Sequence, residues 1–158
     1  MLNYNNVLKD ELNHNGLSIR EISPVMKLNL RGKRREFFTT VGKNLNMLLP
    51  TEANTSSVSD KLTSIWLSPD EWMIVSNETI QKDNNRYELE ESLYNNISKT
   101  NLGAVTDVTD QFVLLELKGE NIFELFASGS PFNFNEFREK KGSATQTLLN
   151  NIDVIIHH

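Results

Sequence analysis

The chain has 158 residues, no cysteine, and a formal net charge of −5. With 38% hydrophobic and 23% charged residues it has the balance of a folded chain, long enough for one compact domain or two small interlocked halves. The acidic surplus argues against a general binder of nucleic acid or anionic membrane, because such binding draws on clustered Lys and Arg; the lack of cysteine excludes disulfides, thiolate metal sites and a cysteine nucleophile, and fits the cytoplasm.

Residues Met1 to Glu21 mix Asn, Lys, Asp and Glu without an apolar run, which predicts a flexible arm and no signal peptide or membrane anchor. From Met26 to Leu30 apolar residues alternate with Lys27, Asn29 and Arg31, the period of a strand with one buried face. Phe37, Phe38, Val41, Leu45 and Leu48 then form a stripe on a helix expected over Lys33 to Met47, with Pro50 ending it. Thr51 to Asp60 has no periodicity and reads as a loop.

Leu62 to Leu67 and Glu71 to Val75 are two aromatic and β-branched runs around Ser68-Pro69-Asp70, a turn sequence, and predict a hairpin. Leu89, Leu93 and Ile97 mark a second helix between a polar turn at Lys82 to Asn85 and Gly103. Ala104 to Val108 and Phe112 to Leu117 read as strands on either side of Thr109-Asp110-Gln111. Gly119 introduces a short helix carrying Ile122, Leu125 and Phe126, and a loop follows through Gly129, Pro131 and Gly142. Thr145 to Leu149 and Ile152 to Ile156 are two strands joined by Asn150-Asn151, a pair that tolerates left-handed backbone.

The fold class is therefore α+β. Residues 22–108 give strand, helix, strand, strand, helix, strand, the split βαβ order of a ferredoxin-like plait. Residues 109–158 begin a second half with strand, helix, strand, strand, which stops short of a further helix and strand. The expected division is an arm over 1–21 and a domain over 22–158 made of these two halves.

No catalytic constellation emerges from the sequence. The histidines, His14, His157 and His158, are too few and too badly placed for a triad or a closed metal site, and the seven glycines form neither a dinucleotide fingerprint nor a phosphate loop. Gly32-Lys33-Arg34-Arg35 is most simply a solvated turn, since cations oppose the dipole at a helix start. Asp70 and Glu71 fall in the predicted hairpin turn, where hydration should leave their acidity ordinary, and Asp107 sits beside Thr109 and Asp110 where it suits turn capping or a partner's backbone. Trp66 and Trp72 carry large rings with one polar edge, suited to a core and, second, to a partner surface.

Read together, Leu49-Pro50-Thr51-Glu52-Ala53-Asn54-Thr55, then Ile65-Trp66-Leu67-Ser68-Pro69-Asp70-Glu71-Trp72-Met73-Ile74-Val75, then Ala104 to Asp110, Gly129 to Phe132 and Lys141 to Leu149 resemble the gamma-subunit family of bacterial heterotetrameric sarcosine oxidases from about Ile22 onward. The resemblance implies a second half related to folate-binding aminomethyltransferase domains, and a structural role beside alpha, beta and delta subunits. It implies that FAD, FMN, NAD and tetrahydrofolate are held by those subunits during sarcosine oxidation, with no catalytic, cofactor-binding or metal residue to carry over. Trp66, Trp72, Asp70, Glu71 and Asp107 are then candidate interface residues. A stand-alone module binding folate or another small molecule is the alternative. Ser68 stands where the family usually has Gly, and members usually continue with another strand and helix, without which the final hairpin would keep an unpaired edge.

Overall fold

The computed structural model describes residues 5–22, 24–79 and 88–158. Its strands are β1 (Leu12–His14), β2 (Leu17–Glu21), β3 (Val25–Gly32), β4 (Ser56–Val58), β5 (Leu62–Ser68), β6 (Glu71–Thr79), β7 (Gly103–Asp107), β8 (Leu115–Lys118), β9 (Ala144–Leu149) and β10 (Ile152–His157). The α-helices are α1 (Arg35–Leu45), α2 (Glu88–Leu93), α3 (Ile122–Gly129) and α4 (Asn135–Glu139); Tyr94–Ser98 continues α2 as a π-helical turn and Thr109–Gln111 is a 3-10 turn. Among the described residues the result is a mixed α and β fold with three antiparallel sheets and few helices.

The largest sheet has the order β4-β5-β6-β3-β7. Alternation along β3 and β6 sends Leu28, Leu30, Trp72 and Ile74 to one face, where α1 contributes Phe37, Val41 and Leu45 and the α2 segment Leu93 and Ile97. Burying such side chains supplies about 1.5–3 kcal/mol each before entropy is counted. Two glycines seat α1 on this sheet. Gly32 and Gly103 are paired across β3 and β7, and a Cβ on Gly32 would strike the Phe37 ring, while one on Gly103 would strike the Arg31 carbonyl oxygen. Helix α1 ends where Asn46 turns left-handed at φ 51°, earlier than the expected Met47.

The other face of the sheet carries Ile65, Leu67, Met73 and Val108, which pack against Ala144 of β9 and Ile155 of β10. The β9–β10 hairpin is thus a middle layer. Its opposite face presents Leu149 and Ile156 to Phe126, Phe134 and Phe137 from the α3–α4 region. The turn between these strands is the predicted one, with Asn150 at φ 55°.

Four expectations change. The arm is ordered from Leu12, because Asn15 (φ 46°) and Gly16 (φ 77°) turn β1 into β2, and β2 pairs with β8. The expected loop over Thr51 to Asp60 contains β4, which pairs with β5. The strand expected over Phe112 to Leu117 begins only at Leu115, and the loop after Gly129 contains α4, which buries Phe137. The turn expected at Lys82 to Asn85 lies outside the described residues.

Candidate functional site

The candidate interface residues lie around the β5–β6 hairpin and the end of β7, but they do not form one surface. Trp72 points into the core at 1% exposure, and its indole Nε1 donates to the buried Pro50 carbonyl (2.8 Å). Its ring meets Phe38 edge-on at 5.3 Å between centroids. Trp66, opposite it across the hairpin, is only half-buried at the margin of the same cluster. Chemistry alone could not separate the two tryptophans; the sheet's edge-to-centre position does.

At the hairpin turn Ser68 Oγ donates to Asp70 Oδ1 (2.9 Å), and Lys33 Nζ lies 3.3 Å from Asp70 Oδ2. The hydroxyl bond first, then Lys33 and Arg31, hold the Asp70 carboxyl below the usual carboxylate range, so its acidity is not ordinary as expected from a hydrated turn. Ser68 keeps ordinary strand-side backbone, so nothing in its conformation calls for glycine. Glu71 accepts from Asn29 Nδ2 (2.7 Å) on the sheet face away from the helices. Asp107 Oδ1 accepts the Thr109 backbone N–H (2.8 Å), the turn-capping role expected of it.

Lys27 was expected on a solvated face and is instead 5% exposed. Its Nζ donates to the carbonyls of Val25 and Thr109 (both 3.1 Å), tying β3 to the 3-10 turn 82 residues away. Withdrawal from water lowers its pKa, against the attraction of Asp110 and Asp107. Nothing in the local sequence signals this, because both acceptors are backbone oxygens and one is remote.

The histidines do not converge. His157 Nε2 lies 2.8 Å from Ser56 Oγ, while His158 Nδ1 lies 3.2 Å from the Phe137 carbonyl and its ring stacks on Phe137. Neighbours on a strand face opposite ways, which separates the two rings. Among the described residues no group of three or more His, Asp or Glu is placed to hold a metal ion.

A groove of about 770 Å³ lies between the helix-free face of the large sheet and the β9–β10 hairpin. Asn29, Glu71, Met73 and Thr106 form its floor, and Gln146, Leu148, Asp153 and Ile155 one wall. It is lined by two carboxylates and by no Lys, Arg or His. Glu71 also lies 3.8 Å from Arg31 Nε, so the unbalanced charge in the groove is chiefly that of Asp153, and the lining offers a phosphate or a glutamate tail no cation of its own.

A family model described as sarcosine oxidase, gamma subunit family, matches residues 32–158. The chain belongs to that family. The match begins ten residues later than the resemblance read from Ile22. In fold, this gamma-family chain is similar to a chain of the heterotetrameric sarcosine oxidase from Corynebacterium sp. U-96 solved in complex with pyrrole 2-carboxylate. The TM-score is 0.75 and the identity 20%, over 88% of this chain and 68% of that one. No curated protein matches the gamma-family chain in sequence. Among its described residues no helix is long and apolar enough to cross a membrane.

Proposed function

We propose that this chain is a non-catalytic assembly subunit of a heterotetrameric sarcosine oxidase, working in the cytoplasm beside alpha, beta and delta subunits. Those subunits hold FAD, FMN, NAD and tetrahydrofolate and carry out the oxidation. The observation that carries the reading is the family match across residues 32–158. A ferredoxin-like first half is supported by the order β7-β3-β6-β5 with α1 and α2 segments on one face, and an aminomethyltransferase-like second half by the strand, helix and hairpin that follow. The Trp66, Asp70, Glu71 and Asp107 region is the first place to seek a partner contact.

The rival reading, a stand-alone folate module, is disfavoured because the lining of the groove offers no cation. The test is co-purification of the tagged chain from its native cells, with mass spectrometry and a flavin absorbance spectrum of the eluate. Stoichiometric large subunits with bound flavin are expected. A chain that elutes alone and colourless refutes the reading, and titration with tetrahydrofolate then tests the rival.

A further inference from the structure

Asparagine is among the thermolabile side chains, because its carboxamide is open to attack by the backbone nitrogen of the next residue. That nitrogen is least crowded when the next residue is glycine, which has no Cβ beside it. The chain has 20 asparagines and one Asn-Gly pair, Asn15-Gly16. Asn46, Asn54, Asn101 and Asn150 share the left-handed backbone of Asn15, but Met47, Thr55, Leu102 and Asn151 follow them, each with a side chain that crowds the attacking nitrogen.

The pair forms the two-residue turn between β1 and β2, at φ 46° and 77°, the pattern of a type I′ turn. Both residues are exposed, a Cβ on Gly16 would meet nothing within 4 Å, and no hydrogen bond holds the Asn15 side chain among the described residues. The closed turn resists cyclisation. It holds its first central residue at ψ of about +30°, whereas a five-membered ring between Asn15 Cγ and the Gly16 nitrogen needs that bond rotated well away. Opening costs little, because β1 has three residues, all exposed, and pairs with β2 alone among the described residues.

We propose that Asn15 is a site of spontaneous deamidation, which divides the chain with time into two forms that differ in whether β1 stays docked. The Gly16 nitrogen bonds to Asn15 Cγ, its proton passes through solvent to the departing amide, and ammonia leaves behind a cyclic imide. Water then opens either carbonyl. Breaking the bond between the nitrogen and Cγ gives an ordinary aspartate; breaking the bond to the main-chain carbonyl gives isoaspartate, whose backbone runs through the former side chain and is one methylene longer. Aspartate keeps the turn, since Asp-Gly suits the same left-handed pair. Isoaspartate lengthens a turn that has no slack, because Gly119 packs so closely on it that a Cβ there would strike the Gly16 carbonyl oxygen. Strand β1 then leaves β2, and Leu12 no longer lies opposite Ile19. None of this depends on which partners the chain has.

Residues flanking a two-residue turn exchange both backbone hydrogen bonds, and every second pair does so after them. The Leu17 and Ile19 amides therefore donate to β1, while those of Ser18 and Arg20 face β8, a parity continued by Ile22 N donating to the Leu114 carbonyl (2.9 Å). The test ages the purified chain in warm, mildly alkaline buffer, maps it by peptide mass spectrometry, and separates the forms by chromatography for amide exchange. Acid in place of amide is expected at Asn15 before any other asparagine, with part of it isoaspartate. In the isoaspartate form the Leu17 and Ile19 amides exchange at least about tenfold faster than in the unaged chain while Ser18 and Arg20 are unchanged; in the aspartate form all four stay slow. Gly16→Ala strains the turn at φ 77° yet shields the nitrogen, so it should slow the conversion. If another asparagine converts first, or Gly16→Ala leaves the rate at Asn15 unchanged, the site is wrongly assigned. Full protection of Leu17 and Ile19 in the isoaspartate form would refute the release of β1.

Discussion

Replacing Trp72 with Phe separates the two tryptophans of the β5–β6 hairpin by what each holds in place. The substitution deletes the donor to the buried Pro50 carbonyl, at a cost of about 1–3 kcal/mol. It also leaves roughly 40 Å³ unfilled beneath Phe38, which at about 24 cal/mol per Å³ adds about 1 kcal/mol. The expected loss is about 2–4 kcal/mol. For a chain of this length that lowers Tm by roughly 4–16 °C. Trp66→Phe, at a half-buried ring with no protein acceptor for its indole N–H among the described residues, should cost under about 1 kcal/mol. Urea titrations followed by far-UV circular dichroism read both differences directly. If the two variants shift the midpoint equally, or if Trp72→Phe costs less than Trp66→Phe, the assignment of Trp72 to the core and its bond to Pro50 is wrong.

Three further outcomes follow from single residues. Ser64 is fully buried and its Oγ has no hydrogen-bond partner among the described residues, so Ser64→Ala should raise stability by about 1 kcal/mol, measured by the same titration; a loss would mean the hydroxyl has a partner. Gly103→Ala pushes a methyl group into the Arg31 carbonyl and the Phe37 ring and should cost about 1–3 kcal/mol; an unchanged midpoint would show that β7 shifts freely. Partial withdrawal from water, with a smaller effect of His158, lowers the pKa of His157. The unfolded chain therefore binds this proton first, so the folded state loses stability as pH falls below about 6.5 and the loss levels off below the folded pKa. His157→Gln should flatten that limb of a pH series, and an unaltered slope would refute the assignment.

The main sheet was readable because its signals are local and strong. Leu28 and Leu30 alternate with polar neighbours, Ser68-Pro69-Asp70 marks the hairpin, and Asn150-Asn151 marks the last turn, all of which the structure contains. The elements that went unread are short or polar. Strand β4 has three residues and α4 five, too few to establish a period, although Phe134 and Phe137 at a spacing of three were a faint sign. The β1–β2 hairpin hid in a polar segment, but Asn15-Gly16 was a turn signal that outweighs composition. For the site, single residues carried their local roles, as with Asp107 capping Thr109, while the groove was out of reach. It is made by Glu71, Thr106 and Asp153 converging from three distant strands, and no spacing along the chain encodes that convergence.

The pairing of β2 with β8 sets an order on folding. Ser18 meets Lys118 about 100 positions later, so these strands cannot join until most of the chain has left the ribosome. Closing a loop that long costs about 2 kcal/mol more than closing one of about ten residues, since the penalty grows with the logarithm of length. Nucleation should thus fall to the β5–β6 hairpin, whose strands are adjacent in sequence, and the N-terminal hairpin should dock last. During synthesis the segment ahead of β3 waits as a tether, and anything that ties it to the growing chain too early competes with its proper seat on β8.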